Sequence, residues 1–404
     1  MKYIILLLLS IQLLLSKDFS ITINKEFNSA LFDITQNYDR SLSAIGFSNV
    51  IENQGIDTSS YTNAFDYLSQ RSKFYGPRMY LISLHPNGSI RDERTTTLAN
   101  FKEAVSVLKT PNDGYYIGGN SINGTFIIQK LDAKGTSIFT KELGTKNNNT
   151  LTKLSLLKDG GLLCIGYSKT SRYPSDDLFQ SGLGGNDTYI IRLNKNGKIL
   201  WNKKFGTSDD DQGIDAVEAD DGSLIILATT LTKNSSKITI MRLGENGNKL
   251  WLHTIERTNK LKAYKIIKLR DNSFVIALTQ KNELNKEQIR LIKFNLQQDI
   301  LLDKEIYTSY SSVLKDIKEY SNRNIIGVGY VQDMYNTDAL VMIIDSEFNM
   351  LHQQHYGGEN RDMFNAVSIL NTSKAAVVGI TTNENSQESK MWIVKIKEDA
   401  TMSK

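Results

Sequence analysis

The chain is poor in the residues that build small reactive centres. Among 404 residues there is one cysteine, Cys164, so an internal disulfide framework and a cysteine-only zinc or iron–sulfur site are both excluded. Four histidines leave little material for a histidine-rich metal centre. Charge of one sign is also lacking. Lysine and arginine number 48 against 44 aspartates and glutamates, a balance that argues against a dedicated nucleic-acid binder. No GxSxG elbow is present, and the glycine-rich stretch at Gly182 precedes a strand rather than a helix, so it is no nucleotide cradle. What the chain does have is a 40 % apolar content, enough for a large core, and only four prolines.

The longest apolar run is at the start, MKYIILLLLSIQLLLSKDFS. Lys2 gives a short basic start, and Tyr3 to Leu15 is nearly unbroken. As a helix that run would span about 20 Å, short of the roughly 30 Å of a bilayer core. Residues 1–16 therefore read as a secretory signal peptide, with a retained anchor as the alternative. Ser16 suits a cleavage edge, but Leu14 stands where a small residue is usual, so the cut site is open. No later run reaches 18 apolar residues, so the mature chain is expected to have no transmembrane segment. The expected location is the periplasm or the cell exterior.

An internal repeat organises residues 17–404. YIIRLNKNGKILWNKKFG, from Tyr189, recurs as ITIMRLGENGNKLWLHTI, from Ile238, and in more eroded form from Met79, Phe126, Ile289, Leu340 and Met391. Each copy follows an apolar stretch ending in a small residue: Gly46, Gly119, Gly166, Ala228, Ala277, Gly329 and Gly379. Each unit then holds four short strands, A to D. Tight turns such as KDGG at Lys158, DDGS at Asp220 and NKNG at Asn194 join A to B and C to D. Four-stranded antiparallel units of about 50 residues predict propeller blades, rather than a solenoid or a pair of sandwiches. The small residue is expected to keep the closely packed sheets from being held apart.

The fold class is thus all-β, a seven-bladed β-propeller with four antiparallel strands per blade. The last unit lacks a convincing strand D. Residues 21–28, ITINKEFN, align without a gap with ILWNKKFG at 199–206, so the mature N-terminal strand is expected to close the last blade.

Two units are interrupted between strands B and C, at about 50–74 and 169–186. In the first, Tyr61, Phe65 and Leu68 fall at helical spacing, and Tyr67 lies beside them. The second carries Arg172, Tyr173, Asp176, Asp177 and Phe179. In a meandering blade, B–C loops emerge on the same face as the D–A links, while the opposite face here keeps tight turns. A chain that decorates one face suggests that this face is used. Tyr61, Phe65, Tyr67, Arg172, Tyr173, Asp176, Asp177 and Phe179 are the candidate binding face, their aromatic and charged mixture suiting a protein contact. The alternative is that the insertions merely cap a groove or are tolerated loops.

Other candidates are weaker. His352 and His355 are three apart in a strand and so point to opposite faces. Asp209, Asp210 and Asp211 offer oxygen ligands for calcium but lack a spaced loop pattern, and a solvated acidic turn explains them as well. Lys130, Arg192, Arg242, Lys293 and Lys395 recur in strand C, where their stems would cover the sheet and their charges reach water. Trp201 and Trp251 recur in strand D and suit packing between blades. No catalytic residue, metal or cofactor is assigned.

The repeats resemble those of bacterial secreted β-propeller proteins of the form DGG…G…YIIKLD-NG-W-K-YGG. The likeness rests on Asp159 to Gly161, Gly166, Asp187 to Leu193, Asn196, Gly197, Trp201, Lys204 to Gly206, and Tyr356 to Gly358. It implies an exported propeller and transfers no active-site residue. The sheets also resemble those of quinone-dependent dehydrogenases, but seven units and few tryptophans fit that pattern poorly. The expectation is a monomeric binding scaffold for an envelope or extracellular protein or glycan, with no nucleic acid. The alternative is a glycan hydrolase or lyase working at the central channel.

Overall fold

The structure, a computed structural model, describes residues 19–25, 28–51, 75–95, 101–110, 114–133, 135–146, 148–169, 185–358, 361–370, 373–382 and 388–402. Its strands, β1 to β28 in chain order, form seven four-stranded antiparallel sheets. Blade four shows the plan. It runs β14 (Asp210–Glu218), β15 (Leu224–Leu231), β16 (Ser236–Leu243) and β17 (Lys249–Ile255), each paired with the next. The DDGS and GENG turns close the A–B and C–D hairpins, and Gly247 takes the positive φ (76°) that such turns favour.

Burial grades outward along each blade. In β15, Leu224 to Thr230 are all buried, because a strand with a sheet packed on each face needs apolar residues on both. The outer strand β17 instead alternates, with Leu250 and Leu252 exposed and Trp251 half-buried. The core is accordingly split into clusters that lie between neighbouring blades. One joins Ile225, Leu227 and Ile240 of blade four to Ile266, Phe274 and Ile276 of blade five. Each such residue, fully buried, contributes on the order of 1.5–3 kcal/mol.

The last blade is β26 (Met363–Ile369), β27 (Lys374–Thr382), β28 (Ser389–Lys397) and then β1 (Ser20–Ile23), so the N-terminal strand does close the ring. Its register differs from the sequence alignment. Ser20 pairs with Val394, the position that Asn202 holds against Ile191 in blade three, so Ile21 corresponds to Lys203 and not to Ile199. The strand stops at Ile23, and residues 26–27 of the expected 21–28 strand lie outside the described residues. Chain geometry explains the shift. With Ile23 matched to Phe205, the links to Ser29 and Asp211 have equal length and reach equivalent positions in the next blade. The gapless match would leave almost no chain to cross.

Every innermost strand carries a β-bulge at one position, for example between Leu151 and Lys153 and between Gly213 and Asp215. The bulge, rather than a neighbouring blade, accounts for the small residue on strand B. A Cβ at Gly166 would overlap the carbonyl oxygen of Thr150 in its own sheet, and Gly46, Gly119, Gly329 and Gly379 are equally confined. In blade five the expected Ala277 is one residue off. Leu278 holds the equivalent place opposite Ala263.

Candidate functional site

The seven innermost strands surround a central cavity of about 630 Å³. The residue after each bulge gives, in blade order, Asp33, Ser106, Lys153, Asp215, Lys265, Asp316 and Ala366. Three aspartates and two lysines thus share one structural level in the middle of an otherwise apolar disc.

The aspartates staple adjacent blades. Asp33 accepts the N–H of Ile34 (3.1 Å) in its own strand and that of Val107 (3.0 Å) in the next. Asp215 does the same with Ala216 (2.9 Å) and Ile266 (3.3 Å), and Asp316 with Ile317 (3.0 Å) and Val367 (3.0 Å). Bulging frees backbone N–H groups that the ladder cannot use, and a carboxylate accepts two of them at once. The lysines then neutralise the ring. Lys153 Nζ reaches past blade two to lie 2.8 Å from Asp33 Oδ2, and Lys265 Nζ lies 2.9 Å from Asp215 and 3.6 Å from Asp316. Lys318, two residues beyond Asp316, also lines the cavity.

Charge and burial compete here. Burial would raise the Asp316 carboxyl, but the charges of Lys318, Lys265 and Lys153 and the N–H of Val367 hold it below the usual carboxylate range. Burial would lower Lys265, but Asp215 and Asp316 raise it above the usual lysine range. Lys318 goes the other way. Asp316 favours its ammonium form, yet the positive charge of Lys265, burial and Lys153 together bring it down. The sequence reading missed this ring. Its signal was available, since LFDIT, LTKLS, GIDAV, AYKII and LKDIK align once the small residue of strand B sets the register.

The cavity lining runs from the post-bulge residues to Leu156, Glu218, Lys268, Glu319 and Ile369, beside the A–B turns. It therefore opens on the face of tight turns. The insertions leave the other face. The first lies between β3 (Leu42–Ile51) and β4 (Tyr75–Leu84), the second between β11 (Leu162–Lys169) and β12 (Asn186–Leu193). Tyr61, Phe65, Tyr67, Arg172, Tyr173, Asp176, Asp177 and Phe179 all lie outside the described residues. At the foot of the second insertion, Asn186 donates its N–H to Asp210 Oδ1 (2.8 Å) and so ties the returning chain to blade four.

The other acidic and basic candidates have structural work. Asp211 accepts from the N–H (2.6 Å) and hydroxyl (2.9 Å) of Thr207 and from the Thr230 hydroxyl, which caps the D–A link. No group of three histidine, cysteine, aspartate or glutamate side chains converges for a metal among the described residues. The strand-C cations do not all reach water. Arg192 is buried and pairs with Asp159 (2.8 Å), Lys293 pairs with Asp271 (2.9 Å), and Lys395 is fully buried with Nζ 5.9 Å from the Phe19 ring centre. They join strand C to the A–B turn or to the closing strand. His352 and His355 are exposed on the outer strand of blade six and pair with Ile343 and Leu340.

The strand-D aromatics lock consecutive blades. Trp201 donates Nε1–H to Glu245 O (2.9 Å) and lies against Gly247 in the next blade, while Trp251 donates to Leu296 O (3.1 Å). Phe139 lies in the same way on Gly197, and Phe19 on Gly88, so the residue just before the closing strand joins blade seven to blade one.

No family model and no curated protein matches the chain. Solved structures share its architecture. A lectin, BP39L from Burkholderia pseudomallei, superposes with a TM-score of 0.61 at 7 % identity, over 94 % of this chain and 98 % of its own. Puromycin hydrolase superposes with a TM-score of 0.56 at 11 % identity over 92 % of this chain, which spans about half (52 %) of that enzyme. An ulvan lyase of polysaccharide lyase family PL25 gives 0.52 at 11 % identity, over 94 % of this chain and 96 % of its own. At such identities the likeness is one of fold. The chain is a seven-bladed β-propeller closed by its N-terminal strand. No described helix is long and apolar enough to cross a membrane.

Proposed function

We propose that this propeller is an exported, monomeric binding scaffold that holds an envelope or extracellular protein or glycan on the face bearing the two B–C insertions. Residues 1–16 act as its signal peptide, and residues 17–404 form the single mature domain. One observation supports the reading above the others: both insertions leave strands B at Ile51 and Lys169 and return on the same face of the disc. Loops raised on a rigid scaffold are a common place for recognition. Tyr61, Phe65, Tyr67, Arg172, Tyr173, Asp176, Asp177 and Phe179 provide the contact surface. That a lectin shares the architecture makes a glycan a reasonable partner class.

The test compares the mature chain from Lys17 with a variant in which residues 51–73 and 170–184 are replaced by short turns. Circular dichroism establishes that both fold alike. Both are then offered native envelope extract and a glycan array. A ligand held by the first and lost by the second is the expected result. Equal capture by both would sink the proposal.

A glycan hydrolase or lyase at the central channel is the second reading, and the observation favouring it is the charged cavity. A general acid needs a carboxyl that keeps its proton near neutral pH. Asp316 is held in the opposite direction, and Asp33 and Asp215 are engaged with N–H and ammonium groups. The scaffold reading is therefore preferred.

A further inference from the structure

The charged ring leaves one ammonium group without a direct contact, since Lys318 feels the charge of Asp316 but makes no ion pair with it. Asp33, Asp215 and Asp316 each bind two backbone N–H groups and face an ammonium group. Lys153 and Lys265 have those carboxylates as partners. Lys318 has no hydrogen-bond or ion-pair partner among the described residues, although it lines the same cavity. An ammonium group carries three donors and no acceptor, so water or the oxygens of a ligand must satisfy it there. The cavity, about 630 Å³, is of the size that holds small molecules. It opens on the face opposite the insertions, so its use is independent of the binding face proposed above.

We propose that the A–B-turn end of the central channel is an oxyanion pocket, in which the Lys318 amine, with Lys153 and Lys265 beside it, receives the carboxylate or sulfate group of a small ligand. The ring places the carboxylates against the wall, where backbone donors hold them, and leaves this amine for the ligand. Charge-assisted N–H···O bonds of this kind are about twice as strong as neutral ones. An oxyanion bound beside Lys318 would favour its ammonium form.

The probes are sodium sulfate and sodium glucuronate, with sodium chloride at matched ionic strength as control. Melting temperature and calorimetry are followed on the mature chain and on Lys318→Met and Lys318→Arg. The expected result is saturable stabilisation by an oxyanion beyond that of chloride, at least tenfold weaker in Lys318→Met and largely retained in Lys318→Arg. If sulfate and glucuronate bind alike, the pocket reads charge alone; tighter glucuronate makes the ligand a sugar acid. Either outcome supports the pocket. Oxyanions no better than chloride, or equal binding by Lys318→Met, would overturn it. Should Lys318→Met fail to fold, acetic anhydride labelling of the wild-type chain decides. Peptide mass spectrometry should find Lys318 modified at least tenfold more slowly at saturating oxyanion, and an unchanged rate refutes the pocket.

Discussion

The inner ring and the outer rim of this disc solve opposite problems with opposite residues. At the axis, where seven bulged strands crowd together, the chain buries aspartates and lysines and satisfies them with backbone donors and one another. At the rim, where strands meet solvent, it exposes aliphatic side chains instead: Ile138, Leu200, Leu250, Leu301 and Leu351. Polarity therefore follows which backbone groups are cut off from water. Both edges of the blade are bulged, the outer strands at these same aliphatic residues, but at the rim solvent can satisfy the freed backbone groups, whereas at the axis a side chain must.

Four substitutions would break or sharpen this contrast. Lys265→Ala leaves Asp215 and Asp316 facing each other without their shared cation, and is expected to cost about 3–5 kcal/mol in chemical denaturation. A loss below about 1 kcal/mol would mean the ring is hydrated and not stabilised by pairing. Trp201→Ala removes a lock between blades three and four and is expected to cost roughly 1–3 kcal/mol, seen as a lower urea midpoint. A neutral result would assign cohesion to the apolar clusters alone. Asp271 tests the exposed end of the same charge pattern. Burial opposes its ionisation, but Lys293 and the Ser273 N–H and hydroxyl bring its carboxyl down to about 2. Its stabilising effect is therefore full above the unfolded value near 3.8 and lost as the pH falls through about 2. Asp271 is more than a third exposed, so solvent limits this to under about 1 kcal/mol. An unfolding curve of Asp271→Asn that departs from wild type at pH 6 and rejoins it near pH 2 is the check. Leu250→Ser at the rim is expected to change stability by no more than about 0.5 kcal/mol. A large loss would mean that this edge is covered in solution, which sedimentation would reveal.

The architecture was legible because its signals repeat. Asn-Gly and Asp-Gly turns, apolar strands and small residues recur in register, and seven copies outweigh the erosion of any one. The register of the closing strand was not legible from its own letters. ITINKEFN matches ILWNKKFG well, yet the constraint that decides is the length of chain needed to reach the next blade, which an ungapped alignment does not weigh. Ala277 failed for a related reason, since one residue along a strand reverses the face and Leu278 is the true equivalent. The charged ring is hard to see in the sequence because each member is a lone Asp or Lys in its own segment, separated by about a blade from the next. Only the packing of three successive blades around the axis brings Lys153 to Asp33, 120 positions away in the chain. The strand-C cations look like surface stems in the sequence because their carboxylate partners sit in turns of the same blade, a pairing that the strand pattern alone does not disclose.

The meeting of both chain ends in one sheet also sets a timetable. Trp392 donates its indole N–H to Ser20, 372 positions away, while most other strand pairs join near neighbours in the chain. Six blades can thus form from local hairpins as they emerge from the ribosome or a translocation pore. The seventh cannot, because its outer strand arrives first and the three it must join arrive last. Entropy makes the wait tolerable, since the cost of closing a loop grows only with the logarithm of its length. Until then, β1 and the flank of blade one stay open, and the nascent disc is a crescent with two unsatisfied edges. The last step of folding is therefore a single annealing event, and its rate decides how long those edges are available to chaperones, proteases or other crescents.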